Sequence, residues 1–223
     1  MACALIDSSG LHPDSPELHF SGMVVFIVIL LIDIVGLFRL GELLLQNLTS
    51  YDPLKLLRRK QLQVLSDPLT KQQYVRVFLF KSKGDPHGEG VPVYVTSHPN
   101  RRYCPVAWTS RYLQLTSKNA NDLSPAFHWP SGGVVSKASF IRKLKQLLGK
   151  AGFSPEDYAG HSLRIGGAIS LKRAGYYSET RTVEIRLLQT VHALDPGRFG
   201  RSSRSVTHQT IWSLSSIGIL YSL

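Results

Sequence analysis

Apolar residues fall along the chain in runs of different period, and each period predicts a different element. The longest is nearly unbroken: "MVVFIVILLIDIVGLF", residues 23–38, carries a single charge, Asp33. A run of this kind is either a helix buried on all sides or a short membrane span, and it falls short of the roughly 20 residues a span needs. From Arg39 the chain continues as "RLGELLLQNL", an amphipathic pattern. A core helix is therefore expected, with a membrane anchor as the alternative. No Lys or Arg precedes the run, so it lacks the basic start of a secretory signal. The leader, residues 1–22, is expected to be poorly ordered.

Further along, "YVRVFLF" (74–80) and "VPVYVT" (91–96) are rich in β-branched and aromatic residues. Between them "KSKGDPHGEG" has the Gly, Asp and Pro content of a turn, so the three together predict a β-hairpin. "CPVAWTSRYLQL" and "SKASFIRKLKQLLGKAGF" have helical spacing and are separated by the loop "NANDLSPAFHWPSGG". The basic stretch "DPLKLLRRKQLQVL" before the hairpin is ambiguous between strand and helix. A last helix is predicted from the apolar spacing of Leu163, Ile169 and Leu171, with Ser162 as its cap and Gly175 as its stop. After Gly175 the periodicity weakens until an isolated apolar tail, "TIWSLSSIGILYSL". The expectation is an α+β protein, mainly helical with a small antiparallel sheet. Residues 23–175 form its domain and 176–223 a divergent tail.

Composition narrows the partners. Against 15 Asp and Glu stand 26 Lys and Arg, a formal charge of +11 on 223 residues. Such an excess suits a polyanion. The second amphipathic helix concentrates Arg142, Lys143, Lys145 and Lys150, which form either a surface that tracks a nucleic-acid backbone or an ordinary solvated face. Two cysteines, Cys3 and Cys104, without CxxC spacing, exclude a disulfide framework and a cysteine-built zinc site. They point to a reducing, intracellular compartment; no metal and no small-molecule cofactor is expected.

The stretch "AGHSLRIGGAISLKRAG" (159–175) raises a specific electrostatic question. His161 and Arg164 stand three residues apart at the start of the predicted helix, where side chains so spaced share a side. A helix N-terminus presents unpaired N–H groups and disfavours a cation. An arginine there is accounted for if an anion such as a phosphate lies between it and the helix end.

In chain order, "GLFRLGELLL", a hairpin with "KSKGD" in its turn, and "GHSLRIGGA" together resemble the catalytic domain of tyrosine recombinases, the phage-integrase family, in the versions found in eukaryotic mobile elements. The resemblance covers roughly Leu31 to Gly175. It implies that Arg39 and Arg164 grip the scissile phosphate, a role that suits the planar, permanently charged fork of guanidinium. It implies further that Lys83, or Lys81, protonates the departing sugar hydroxyl, that His161 assists in proton transfer or donates a hydrogen bond to the phosphate, and that Glu42 orients Arg39 or the local fold. These four catalytic candidates, Arg39, Lys83, His161 and Arg164, should then face one shallow basic concavity. The implied partner is double-stranded DNA, with self-association on it, in the nucleus if the host is eukaryotic.

Where the family carries a second His or Trp and then the attacking tyrosine, this chain departs from the pattern. Tyr176 and Tyr177 come too soon after Arg164, His192 lacks the expected neighbours, and Tyr221, in the apolar tail, is a weak candidate for the nucleophile. Nor can residues before Met23 form the separate DNA-clamping domain of the family. The expected function is therefore DNA binding of the recombinase kind with an incomplete catalytic site. A non-enzymatic DNA-binding remnant, or a small protein anchored through residues 23–38, are the alternatives.

Overall fold

The computed structural model describes residues 1–46, 56–80, 90–117 and 123–173. They form an α+β structure of six helices and one three-stranded antiparallel sheet. At its centre is α2, Gly22–Val35. Ser21 caps it, its hydroxyl accepting the Val24 N–H at 3.4 Å. Every residue from Val24 to Ile34 is buried, Asp33 included. A helix that is apolar on every side needs neighbours on every side, and α2 has them. Against it pack α1 (Ala2–Asp7), α3 (Leu40–Leu43), α4 (Pro105–Leu115) and α6 (Gly160–Arg173), and Phe26 stacks on Phe140 of α5 (Lys137–Lys150) with ring centroids 5.0 Å apart. Residues 23–35 are thus core, as their pattern predicts. Among the described residues no helix is long and apolar enough to cross a membrane.

The other side of α4 receives the sheet, in the order β1 (Leu62–Ser66), β2 (Gln73–Leu79), β3 (Val91–Thr96). Val77 lies between Leu62 and Val93, and Val75 between Val64 and Val95, so alternate residues present one apolar face. The hairpin strands fall where their composition puts them, while the turn, residues 81–89, lies outside the described residues. The described part of the ambiguous stretch before them holds a 3-10 turn, Arg59–Gln61, and the start of β1. Pairing with β2 is what makes a strand of residues whose own pattern leaves the question open.

Three expectations need correction. The leader is ordered: Leu5, Ile6 and Leu18 are buried, and polar contacts fasten it to the turn before α4. Arg101 forms a bidentate pair with Asp14 at 2.5 Å, Arg102 lies 3.1 Å from Asp7, and the Tyr103 hydroxyl donates to Asp7 at 2.9 Å. These partners lie far away in the chain, so no local pattern announces them. Ser162 is not the cap of α6, which begins two residues earlier; its hydroxyl instead reaches back to accept the Ala159 N–H at 2.9 Å. The buried side of α6 agrees with the prediction at Leu163 and departs from it at Ile169. Leu163, Gly167 and Ser170 face inward, while Ile165 and Ile169 are exposed. The spacing is helical as expected, but where α6 approaches α2 most closely a glycine, Gly167, takes the inward position.

Gly167 shows how tight that approach is. A Cβ there would lie 2.6 Å from the Ile34 carbonyl oxygen and 2.9 Å from Leu37 Cδ2, whereas at Gly166 it would meet nothing within 4 Å. Gly167→Ala should therefore destabilise the protein by about 1–3 kcal/mol through overpacking. Gly166→Ala, in the same helix, should stabilise it by about 0.5–1 kcal/mol through helix propensity. Urea titration of the two variants checks the pair; equal effects would contradict the packing described.

Candidate functional site

Between α2 and α3 the chain turns sharply. Gly36 closes α2, its N–H donating to the Ile32 carbonyl at 2.9 Å. Leu37, fully buried, takes φ +51°, a left-handed conformation uncommon for a residue with a side chain. The Phe38 ring folds over Gly36, where a Cβ would fall 2.2 Å from a ring carbon. The chain leaves this turn at Arg39, in extended conformation immediately before α3. Glu42 secures the exit. Its carboxylate accepts the Arg39 N–H at 2.8 Å and lies 3.5 Å from the Arg39 guanidinium. The Glu42 side chain is 9% exposed and that of Arg39 44%, so the acid is fixed and the arginine reaches outward from it. Glu42 thus holds both the backbone and the side chain of Arg39.

The first turn of α6 arrives at the same place. A Cβ at Gly160 would lie 3.2 Å from Leu40 Cδ1, 3.5 Å from Ile141 Cδ1 and 3.5 Å from Lys137 Cε. Leu40 follows Arg39 and Gly160 precedes His161, so two segments distant in sequence meet at residues next to the predicted cations. His161 is exposed at that turn and Arg164, one turn on, is half-buried. Of the four catalytic candidates, Arg39, His161 and Arg164 lie on segments the fold brings together. Lys83 and its alternative Lys81 fall outside the described residues, as do Tyr176, Tyr177, His192 and Tyr221.

Lys137 was not among the residues singled out from the sequence. It sits at the first position of α5, and its aliphatic stem passes Gly160, which puts a further cation beside the first turn of α6. Nothing in its local pattern separates it from the other lysines of that helix; only the packing of α5 on α6 does. The remaining basic residues of α5 are dispersed. Arg142 and Lys150 are exposed, Lys143 is half-buried, and the Lys145 ammonium is 2.8 Å from Glu156. That ion pair spends the charge of Lys145 within the protein, so it is a weaker candidate for a backbone contact than its neighbours.

A second polar cluster lies elsewhere and is structural. The Arg59 guanidinium donates to the Thr116 hydroxyl and to the Leu113 carbonyl at 2.7 Å, and lies 5.6 Å from the Tyr112 ring centroid. Tyr112 in turn donates to the Ala126 carbonyl at 3.0 Å. Burial pushes the Tyr112 hydroxyl up to about 12, and burial followed by the charge of Arg59 holds His128 below its ordinary value. The cluster ties the loop before α5 to α4. Among the described residues no group of His, Cys, Asp and Glu could hold a metal ion.

No family model matches the chain, and no curated protein matches it. The chemistry is thus read from the geometry: cations on two converging segments, one held by a nearly buried carboxylate, at a helix start whose N–H groups favour an anion. Removing the carboxylate tests the local part of this arrangement. Glu42→Ala should cost about 1.5–3 kcal/mol, the worth of a hydrogen bond to a charged acceptor, and Glu42→Gln, which keeps an acceptor, distinctly less. Thermal melts of both variants give the comparison; a harmless Glu42→Ala would mean that Arg39 is held by other contacts.

Proposed function

We propose that the chain is a DNA-backbone-binding domain of the tyrosine-recombinase kind, with a phosphate site built from Arg39, His161 and Arg164 and a catalytic apparatus that is incomplete. The contact of Leu40 with Gly160 carries the proposal. It sets the residue after Arg39 against the residue before His161, so that the outward-reaching arginine and the first turn of α6 can address one anion. The order of the three motifs, the net charge of +11 and the α+β composition with its hairpin all agree with that reading.

In the proposed site each residue has a separate task. The guanidinium groups of Arg39 and Arg164 donate paired hydrogen bonds to non-bridging phosphate oxygens and stay charged at any working pH. His161 supplies a hydrogen bond or a proton at the same phosphate. Lys83 is the proposed donor to the departing sugar hydroxyl. Arg142, Lys143 and Lys150 extend the contact along the backbone, and Lys137 adds charge beside the phosphate. Contacts of this kind fix position on a duplex without reading its sequence. A DNA partner would place the protein's work in the nucleus of a eukaryotic host.

The missing element is the nucleophile. Arginines, a lysine and a histidine stabilise charge on a phosphodiester, but without a positioned tyrosine none of them attacks phosphorus. The departure of the sequence after Gly175 from the family pattern therefore favours binding without strand exchange, and a non-enzymatic DNA-binding domain is the neighbouring reading. Incubation with a nicked suicide duplex should give no covalent protein–DNA adduct on a denaturing gel. An adduct formed by the wild-type chain and lost in Tyr221→Phe would restore an active recombinase.

Binding itself should be tolerant of sequence and steep in salt. Affinity for a random duplex should fall at least about tenfold between about 50 and 200 mM salt. Arg164→Ala should weaken it only a few-fold and lower the salt slope by about 1, one phosphate contact among several. Salt-independent affinity, or a slope unchanged in Arg164→Ala, would remove the phosphate from the site.

A further inference from the structure

We infer that Gly167 and Leu37 are positioning residues that hold Arg39 and Arg164 in register on one phosphate, an inference that rests on the phosphate-binding reading above. The two glycines of "RIGGA" are not equivalent. A side chain at Gly166 would enter open space, whereas one at Gly167 would meet the Ile34 carbonyl at 2.6 Å and Leu37 Cδ2 at 2.9 Å. Neither neighbour has room to give. The carbonyl belongs to the buried end of α2, and Leu37 is fully buried in a left-handed turn at φ +51°.

The place of this contact gives it more than a packing role. Leu37 is two residues before Arg39, and Gly167 is three residues after Arg164, about 4.5 Å along the helix axis. The turn that aims Arg39 outward therefore bears directly on the helix turn that carries Arg164. The second contact, Leu40 against Gly160, lies on the other side of both arginines in their respective segments. Two contacts that bracket a pair of cations fix both the height and the rotation of α6 relative to Arg39. A displacement near 1 Å suffices to undo shared coordination of one small group.

A double-mutant cycle performed in two backgrounds tests this. Affinity for a random-sequence duplex at low salt is measured for wild type, Arg39→Ala, Arg164→Ala and the double variant. The same four are then measured with Gly167→Ala added, and thermal melting confirms that each protein is folded. In the wild-type background the double variant should lose less than the product of the single losses by about threefold or more, because both arginines act on one phosphate. With Gly167→Ala the losses should simply multiply, and with Gly166→Ala as the control the coupling should persist. If Gly167→Ala does not fold, Leu37→Gly removes the same contact from the other side while accepting the positive φ without strain, and it should abolish the coupling in the same way. Coupling of equal size with and without the contact would overturn the positioning role alone. Independent losses in the wild-type background would overturn the shared phosphate and the inference with it.

Discussion

Gly167 lies so close to the carbonyl oxygen of Ile34 that α6 meets the end of α2 as backbone against backbone, and the placement of α6 beside the α2–α3 turn follows from that approach. Because α2 is apolar on all sides it has to be enclosed, and α6 is one of the walls that enclose it. With small inward residues, α6 comes near enough for its first turn to reach Leu40. The exposed Ile165 and Ile169 are left outside by the same rotation. A helix packed through its isoleucines would stand farther off and would present His161 and Arg164 in another direction.

This placement accounts for cations at a helix start, where the dipole is unfavourable to them. Glu42 offsets part of the charge on Arg39 from a nearly buried position, fixing the arginine without neutralising the segment opposite. The first turn of α6 carries His161, with the stem of Lys137 passing alongside, and Arg164 follows one turn on. In the function proposed above, these charges would address one phosphodiester, whose charge and acceptor geometry suit guanidinium groups. Strain at Leu37 is the accompanying cost, and residues held in sparsely populated backbone conformations are found preferentially where an arrangement serves a site.

The elements that are legible in the sequence are those whose local chemistry decides them. The unbroken apolar run announces α2, turn composition announces the hairpin, and helical spacing announces α4 and α5. What cannot be read depends on distant partners. The leader looks featureless because its order comes from Arg101, Arg102 and Tyr103, and β1 is a strand only because β2 lies beside it. The inward face of α6 is read correctly at Leu163 and misread at Ile169 for a related reason: hydrophobicity favours the isoleucine, and only the closeness of α2 explains why Gly167 faces the core. Of the candidate site, His161 and Arg164 stand out by their spacing at a helix start, Arg39 and Glu42 are reached only through the resemblance, and the place of Lys137 needs the packing of α5 against Gly160.

The central claim is that Arg39 and the start of α6 form a single phosphate site, and amide NMR during titration with a short duplex addresses it most directly. The amides of Arg39 and Leu40 should shift together with those of Gly160, His161 and Arg164, along one saturation curve with one dissociation constant. Shifts confined to one of the two segments, or concentrated on α5 around Arg142 and Lys150 with both segments unmoved, would contradict it.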